Sequence, residues 1–162
     1  MSQKKVYLDT SVISYLKEED SKEKMEETLF LWDSFINDNE YLVYVSTHTI
    51  NEISECSEPK RSFMFDMLKK INYIKLEATD EILELRNKYL DHKVLTGKSK
   101  DDLLHIAFAV ANSINCIVSW NFKHFVNLNT IKSVNATNIL FNHITVNIVT
   151  PPTITGGVNN DS

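Results

Sequence analysis

The chain is 162 residues long, 43% hydrophobic and 24% charged, the make-up of a globular protein with one core large enough to fold unaided. Lys and Arg total 17 against 22 Asp and Glu, so the net charge of −5 excludes a nucleic-acid binder built on a broad basic surface. It does not exclude an enzyme whose metal ion supplies the positive charge. With glycine confined to Gly97, Gly156 and Gly157, neither a G-x-G-x-x-G turn nor a P-loop can be written.

Cys56 and Cys116 are too isolated for a zinc cluster or a disulfide framework, which suggests a reduced, cytoplasmic chain. Asp9 interrupts the apolar run behind Lys4 and Lys5 that a signal peptide needs. No apolar stretch approaches the ~20 residues of a membrane span, so no membrane association is expected.

Val6-Tyr7-Leu8 reads as a short buried strand ending at Asp9, followed by a helical stretch from Thr10 to Lys17. From Ser21 to Asn37, Met25, Leu29, Trp32 and Ile36 form the stripe of an amphipathic helix. Tyr41 to Ser46 is rich in β-formers and predicts a second strand. Thr47 to Cys56 is predicted helical, and Pro59 opens another helix reaching about Lys70. Phe63, Met64, Phe65 and Met67 crowd that helix, as core packing or as a partner-facing surface.

Tyr73 to Leu76 is a weaker strand candidate, and Thr79-Asp80-Glu81-Ile82 opens a helix with acidic residues in its first turn. Gly97 closes or follows that element. Ser99-Lys100-Asp101-Asp102 then begins a helix whose body, Leu103 to Ile114, is apolar nearly all round and should lie against the sheet. Cys116 to Ser119 is an apolar strand of the doubly covered, parallel kind. Phe122 to Leu128 and Ile131 to Phe141 read as short helices or helical turns, and Ile144 to Val149 as the last strand. Residues 150–162 are expected to form a flexible tail after Pro151-Pro152. Residues 1–149 therefore predict one α/β domain, a central, mostly parallel sheet flanked by helices.

In such a sheet the crevice lies outside the carboxyl ends of the strands. The first strand ends at Asp9-Thr10-Ser11, and the second at Ser46, ahead of a helix bearing Glu52. The third apolar run ends in Ser119-Trp120-Asn121, and the helix before it starts with Asp101-Asp102. Carboxylates converging there without Lys or Arg would repel, and a hard divalent cation with oxygen ligands is the usual remedy. Each residue also has a plainer role. Asp9 or Asp101 can cap a helix, Glu52 or its near neighbour Glu55 can be a solvated side chain, and His105 can be a satisfied core histidine. Trp120, Phe122 and Phe125 read as packing.

Four motifs in order carry a resemblance. Val6-Tyr7-Leu8-Asp9-Thr10-Ser11 resembles the opening strand of PIN-domain proteins, and Thr49-Ile50-Asn51-Glu52-Ile53 their second acidic position. Asp102-Leu103-Leu104-His105-Ile106-Ala107-Phe108-Ala109 is similar to their third motif. Ile117 to Phe125, containing Trp120-Asn121-Phe122-Lys123-His124, resembles a variant fourth motif of bacterial members. The resemblance, to VapC-like toxins among others, spans about residues 4–149.

It implies a PIN-like fold and a metal-dependent endoribonuclease, of the type that serves as toxin in type II toxin–antitoxin pairs. Asp9, Glu52 and Asp102 would be the acidic cluster holding Mg²⁺ or Mn²⁺ and cleaving an RNA phosphodiester. Thr10, Ser11 and Ser119 would support it, and Lys123 and His124 would touch the RNA backbone. Asn121 stands where many members have another aspartate; its amide oxygen can still ligate a cation but adds no charge. The implied partners are an RNA substrate, a cognate antitoxin and a second copy in a homodimer. The rival reading is a catalytically weakened PIN-like module that binds RNA or protein without cutting. A strand ending in aspartate also opens aspartyl phosphatases, but the second aspartate they need two residues on is Ser11 here.

Overall fold

The computed structural model describes residues 3–94, 100–123 and 125–156. Five strands, β1 (Lys4–Leu8), β2 (Tyr41–Ser46), β3 (Tyr73–Leu76), β4 (Cys116–Val118) and β5 (Asn147–Val149), form one sheet in the order β3-β2-β1-β4-β5. Every pairing is parallel, with Val6 opposite Val43 and Leu8 opposite Val118. Because each pair is parallel, every connection must cross over, and helices supply the crossovers. These are α1 (Thr10–Ser14), α2 (Lys22–Asn37), α3 (Thr47–Ser54), α4 (Lys60–Leu68), α5 (Asp80–Asp91), α6 (Lys100–Ala111) and α7 (Leu128–Leu140).

Alternation along the strands divides the interior into two cores. Val6 and Leu8 of β1, Val43 and Val45 of β2, and Cys116 and Val118 of β4 face one side, with Ile13, Trp32, Ile53 and Met64 from α1 to α4. Tyr7 and Ile117 face the other, with Leu85, Tyr89, Phe108 and Val134 from α5 to α7. Both faces are covered, which is why β1 and β4 read as apolar runs rather than as alternating strands. The one polar tip in this part of β1, the Tyr7 hydroxyl, therefore points under α6. That position proves important for the site.

Three expectations are corrected and one open choice is settled. The buried face of α2 is Thr28, Leu31, Trp32 and Phe35, whereas Leu29 and Ile36 are 38% and 46% exposed. The Trp32 indole N–H donates to the Met67 carbonyl at 3.0 Å, and this bond fixes the rotation of α2 over α4. Met64 and Met67 of α4 lie in the core with Phe63 and Phe65 packed against it, so the segment is not a free partner-facing surface. Phe122, Lys123 and Phe125 lie in turns, and α7 is one continuous helix started by the Asn127 side chain, which accepts from the Thr130 N–H. At the start of the expected tail, Pro151–Thr155 form a short helix, α8, packed on α2, because Pro in a first turn forfeits no helical hydrogen bond. Gly97, Ser99, His124 and residues 157–162 lie outside the described residues. Among the described residues, no helix is long and apolar enough to cross a membrane.

Candidate metal centre at the carboxyl edge of the sheet

Asp9 leaves the carboxyl end of β1 at the centre of the sheet and is 4% exposed. The carboxylate caps a helix and also faces the candidate site. Its Oδ1 accepts from the Val12 N–H at 3.4 Å, capping α1, and from the Ser11 hydroxyl at 2.6 Å. Its Oδ2 accepts from the Ser119 hydroxyl at 2.6 Å, and its own N–H donates to the Val118 carbonyl. Ser11 and Ser119 are in turn fixed from the loop beyond β4. The Trp120 N–H donates to Ser11 Oγ and the Asn121 N–H to Ser119 Oγ, both at 2.9 Å. Two serines thus latch the Asp9 carboxylate to the residues after β4.

Burial pushes the Asp9 carboxyl above its ordinary range, opposed in part by His105 and the two serine hydroxyls. A carboxyl whose folded value is raised costs folding stability once pH climbs past its unfolded value and ionises it. Asp9→Asn should therefore melt higher than the wild-type chain at pH 7 in EDTA. The difference should vanish as pH falls below the ordinary Asp value of 3.8. Thermal melts of both proteins across that range check this; a variant that melts lower at pH 7 contradicts it.

Thr10, the next residue, turns the other way and donates from Oγ1 to Glu52 Oε1 at 2.6 Å. Glu52 stands on α3, whose start is capped by Ser46 through the Thr49 N–H at 3.1 Å. Glu52 is half-buried in this network, whereas its neighbour Glu55 is exposed. The same Oε1 accepts from His105 Nε2 at 2.6 Å. Burial acts to raise the Glu52 carboxyl, but the bonds from His105 and Thr10 outweigh it and leave it below its usual range. It is an anion at neutral pH. Among the described residues, no Lys or Arg pairs with Asp9 or Glu52.

His105 is buried and satisfied, as expected of a core histidine, and one of its partners is the Glu52 carboxylate. Its Nδ1 is 2.6 Å from the Tyr7 hydroxyl, which lies 2.7 Å from Ser46 Oγ. A chain of hydrogen bonds therefore runs Ser46–Tyr7–His105–Glu52–Thr10. Asp102 is half-buried in the first turn of α6, three residues before His105 and so on the same helical face. Asp101 is exposed and approaches His48 instead, with Oδ1 3.9 Å from Nε2. Asn121 is half-buried just past β4, and Lys123 is exposed beside it.

His48 and Tyr7 escaped the sequence reading. The signal for His48 was its spacing, one helical turn before Glu52. Lys24 was missed too; its ammonium sits 5.6 Å from the Trp120 ring centroid and 5.0 Å from that of Phe122. Trp120 and Phe125 are buried packing residues, whereas Phe122 is 49% exposed. A cleft of about 280 Å³ lined by Lys4, Cys116 and Asn147 opens at the amino ends of the strands, the wrong edge for this chemistry.

No protein-family model matches the sequence, and no curated protein matches it. Among solved structures, the chain is similar to one described as VapBC2 from Rickettsia felis bound to a DNA fragment from their promoter. The TM-score is 0.56 at 13% identity, over 90% of this chain and 98% of that one. At that identity the likeness speaks for the fold, which agrees with the order and parallel pairing of the five strands. The chain has a PIN-like α/β fold.

Proposed function

We propose that this protein is a divalent-metal-dependent endoribonuclease acting in the cytoplasm as the toxin of a type II toxin–antitoxin pair. The observation that supports it most is the placement of Asp9, a buried carboxylate latched by two serines and bridged through Thr10 to Glu52, with no Lys or Arg partner among the described residues. Asp9, Glu52, Asp102 and Asn121 offer only oxygen donors, three of them carboxylates, which suits a hard cation such as Mg²⁺ or Mn²⁺. When bound, such an ion activates water and neutralises phosphoryl charge.

The chain's own residues do the rest. Ser11 and Ser119 hold Asp9 in one orientation, so the carboxylate needs no reorganisation to meet a ligand. Thr10 and His105 both donate to Glu52 Oε1, and among the described contacts Oε2 takes none, which leaves that oxygen for a cation or a proton. Asp102 or Glu52 would accept the proton of the attacking water. Lys123 and Lys24 would hold the RNA backbone on the Asn121 side, with His124 a further contact. A cognate antitoxin and a homodimer belong to the same proposal, supported by the VapBC2 likeness for the first.

The test is a purified-protein assay over several RNAs. Cleavage with Mg²⁺ or Mn²⁺ that EDTA abolishes supports the proposal. RNA binding that is indifferent to EDTA, without cleavage, would favour the non-cutting module, for which Asn121 in place of an acid is the motive.

A further inference from the structure

We propose that His48, Glu52 and His105 form a second kind of metal site, selective for a zinc-class divalent ion and sharing Glu52 with the oxygen cluster. The ligand atoms of the three side chains all lie within 4.8 Å of one another. His48 Nε2 is 3.8 Å from Glu52 Oε1, and His105 Nε2 is 2.6 Å from the same oxygen. A tetrahedral Zn²⁺ with bonds near 2.0–2.1 Å sets its donors about 3.3 Å apart. The first distance must close slightly and the second open slightly, and His48 Nε2 must give up the Asp101 carbonyl that it meets at 3.2 Å. All three donors stand on packed helices, α3 and α6. Two imidazoles and one carboxylate are a borderline-soft set, which favours Zn²⁺ over Mg²⁺.

The surroundings of His105 point the same way. A ligating histidine normally has its other ring nitrogen held by a hydrogen-bond partner. Here Nδ1 is held by Tyr7, which is wholly buried and itself bonded to Ser46. As drawn without an ion, His105 Nε2–H donates to Glu52. When the ion binds, the ring takes its other tautomer: Nε2 gives its proton to solvent, solvent supplies one at Nδ1, and the ring stays neutral; Nδ1–H then donates to the Tyr7 oxygen, and Tyr7 donates to Ser46. Both hydroxyls can donate or accept, so the buried chain stays satisfied in either direction. Asp101, 3.9 Å from His48 Nε2 and 73% exposed, is placed to swing in as a fourth ligand.

An ion here would withdraw Glu52 from the oxygen cluster, so zinc should inhibit cleavage. That consequence, unlike the site itself, rests on the proposed nuclease function.

Cobalt(II) reports the site directly, because a four-coordinate cobalt ion absorbs strongly in the visible. Titrating the metal-free protein with Co²⁺ should raise this band to a stoichiometric end point, and Zn²⁺ should displace it. His48→Gln should weaken Co²⁺ and Zn²⁺ binding at least about 10-fold, whereas Asp9→Asn should keep the band. Should His48→Gln fail to fold, nitrogen-15 spectra of the wild-type histidines serve instead: Zn²⁺ should move the ring signals of both His48 and His105. No band in the wild-type protein, a band unaffected by His48→Gln, a band lost in Asp9→Asn, or unmoved ring signals would overturn the site. RNA cleavage is read in parallel. Cleavage without the band removes this site alone, and the band without cleavage removes the nuclease reading alone.

Discussion

Replacing Asp9 by Asn is expected to lower divalent-dependent RNA cleavage by more than about 100-fold, beyond the upper end of what loss of an outer-shell partner costs a metal site. Asn preserves the shape. Its side-chain oxygen can accept from Ser11 and the Val12 N–H, and its amide can donate to Ser119 once that hydroxyl turns. What disappears is a negative charge at the centre of the crevice. Glu55→Gln is the matched control, since Glu55 is the exposed residue that ends α3, and it should cleave at the wild-type rate. Single-turnover cleavage at saturating Mn²⁺ compares the three proteins. Because Asp9→Asn is also expected to be the more stable fold at neutral pH, lost activity with a higher melting temperature would identify a function–stability conflict at this residue.

Trp32→Ala is expected to be the largest stability loss, about 3–5 kcal/mol. The side chain is 1% exposed and sits in the core beneath α1 to α4. Its ring meets Phe35 edge-on at 5.6 Å, and its N–H satisfies the Met67 carbonyl. Truncation opens a cavity and strips that carbonyl of this donor. For a chain of this size the melting temperature should fall by roughly 6–20 °C. Asp9, Glu52 and His105 are held at the sheet edge by their own hydrogen bonds, so metal affinity of the folded protein at low temperature should change far less than its stability. Calorimetric melting measures the first effect and metal titration the second.

The sheet was legible because its strands are covered on both faces: Val6-Tyr7-Leu8 and Cys116-Ile117-Val118 admit few other readings. The face of α2 was not. Leu29-Phe30-Leu31-Trp32 is apolar four times running, so several stripes fit the helical period, and the choice fell to the Trp32–Met67 bond, a tertiary contact. Pro151-Pro152 was read as a stop, although Pro is equally at home in a first turn. At the site, strand ends pointed to Asp9 and Ser119 directly. Spacing did not choose between Glu52 and Glu55; the motif resemblance named Glu52, and in the structure α3 turns it toward Thr10. His105 was recognisable as buried, but its bond to Glu52 depends on Tyr7 holding the ring from across 98 residues of chain. His48 lies in no motif, and its one-turn spacing from Glu52 gains meaning only from the folded α3–α6 contact.

The central claim is that Asp9, Glu52 and Asp102 act together on one hard cation. It is tested most directly by titrating Mn²⁺ into the wild-type protein and into Asp9→Asn and Asp102→Asn, with free Mn²⁺ read by electron paramagnetic resonance. Stoichiometric binding to the wild-type chain, weakened at least about 10-fold in each variant, is the predicted result. Mn²⁺ affinity unchanged by both substitutions would contradict the account.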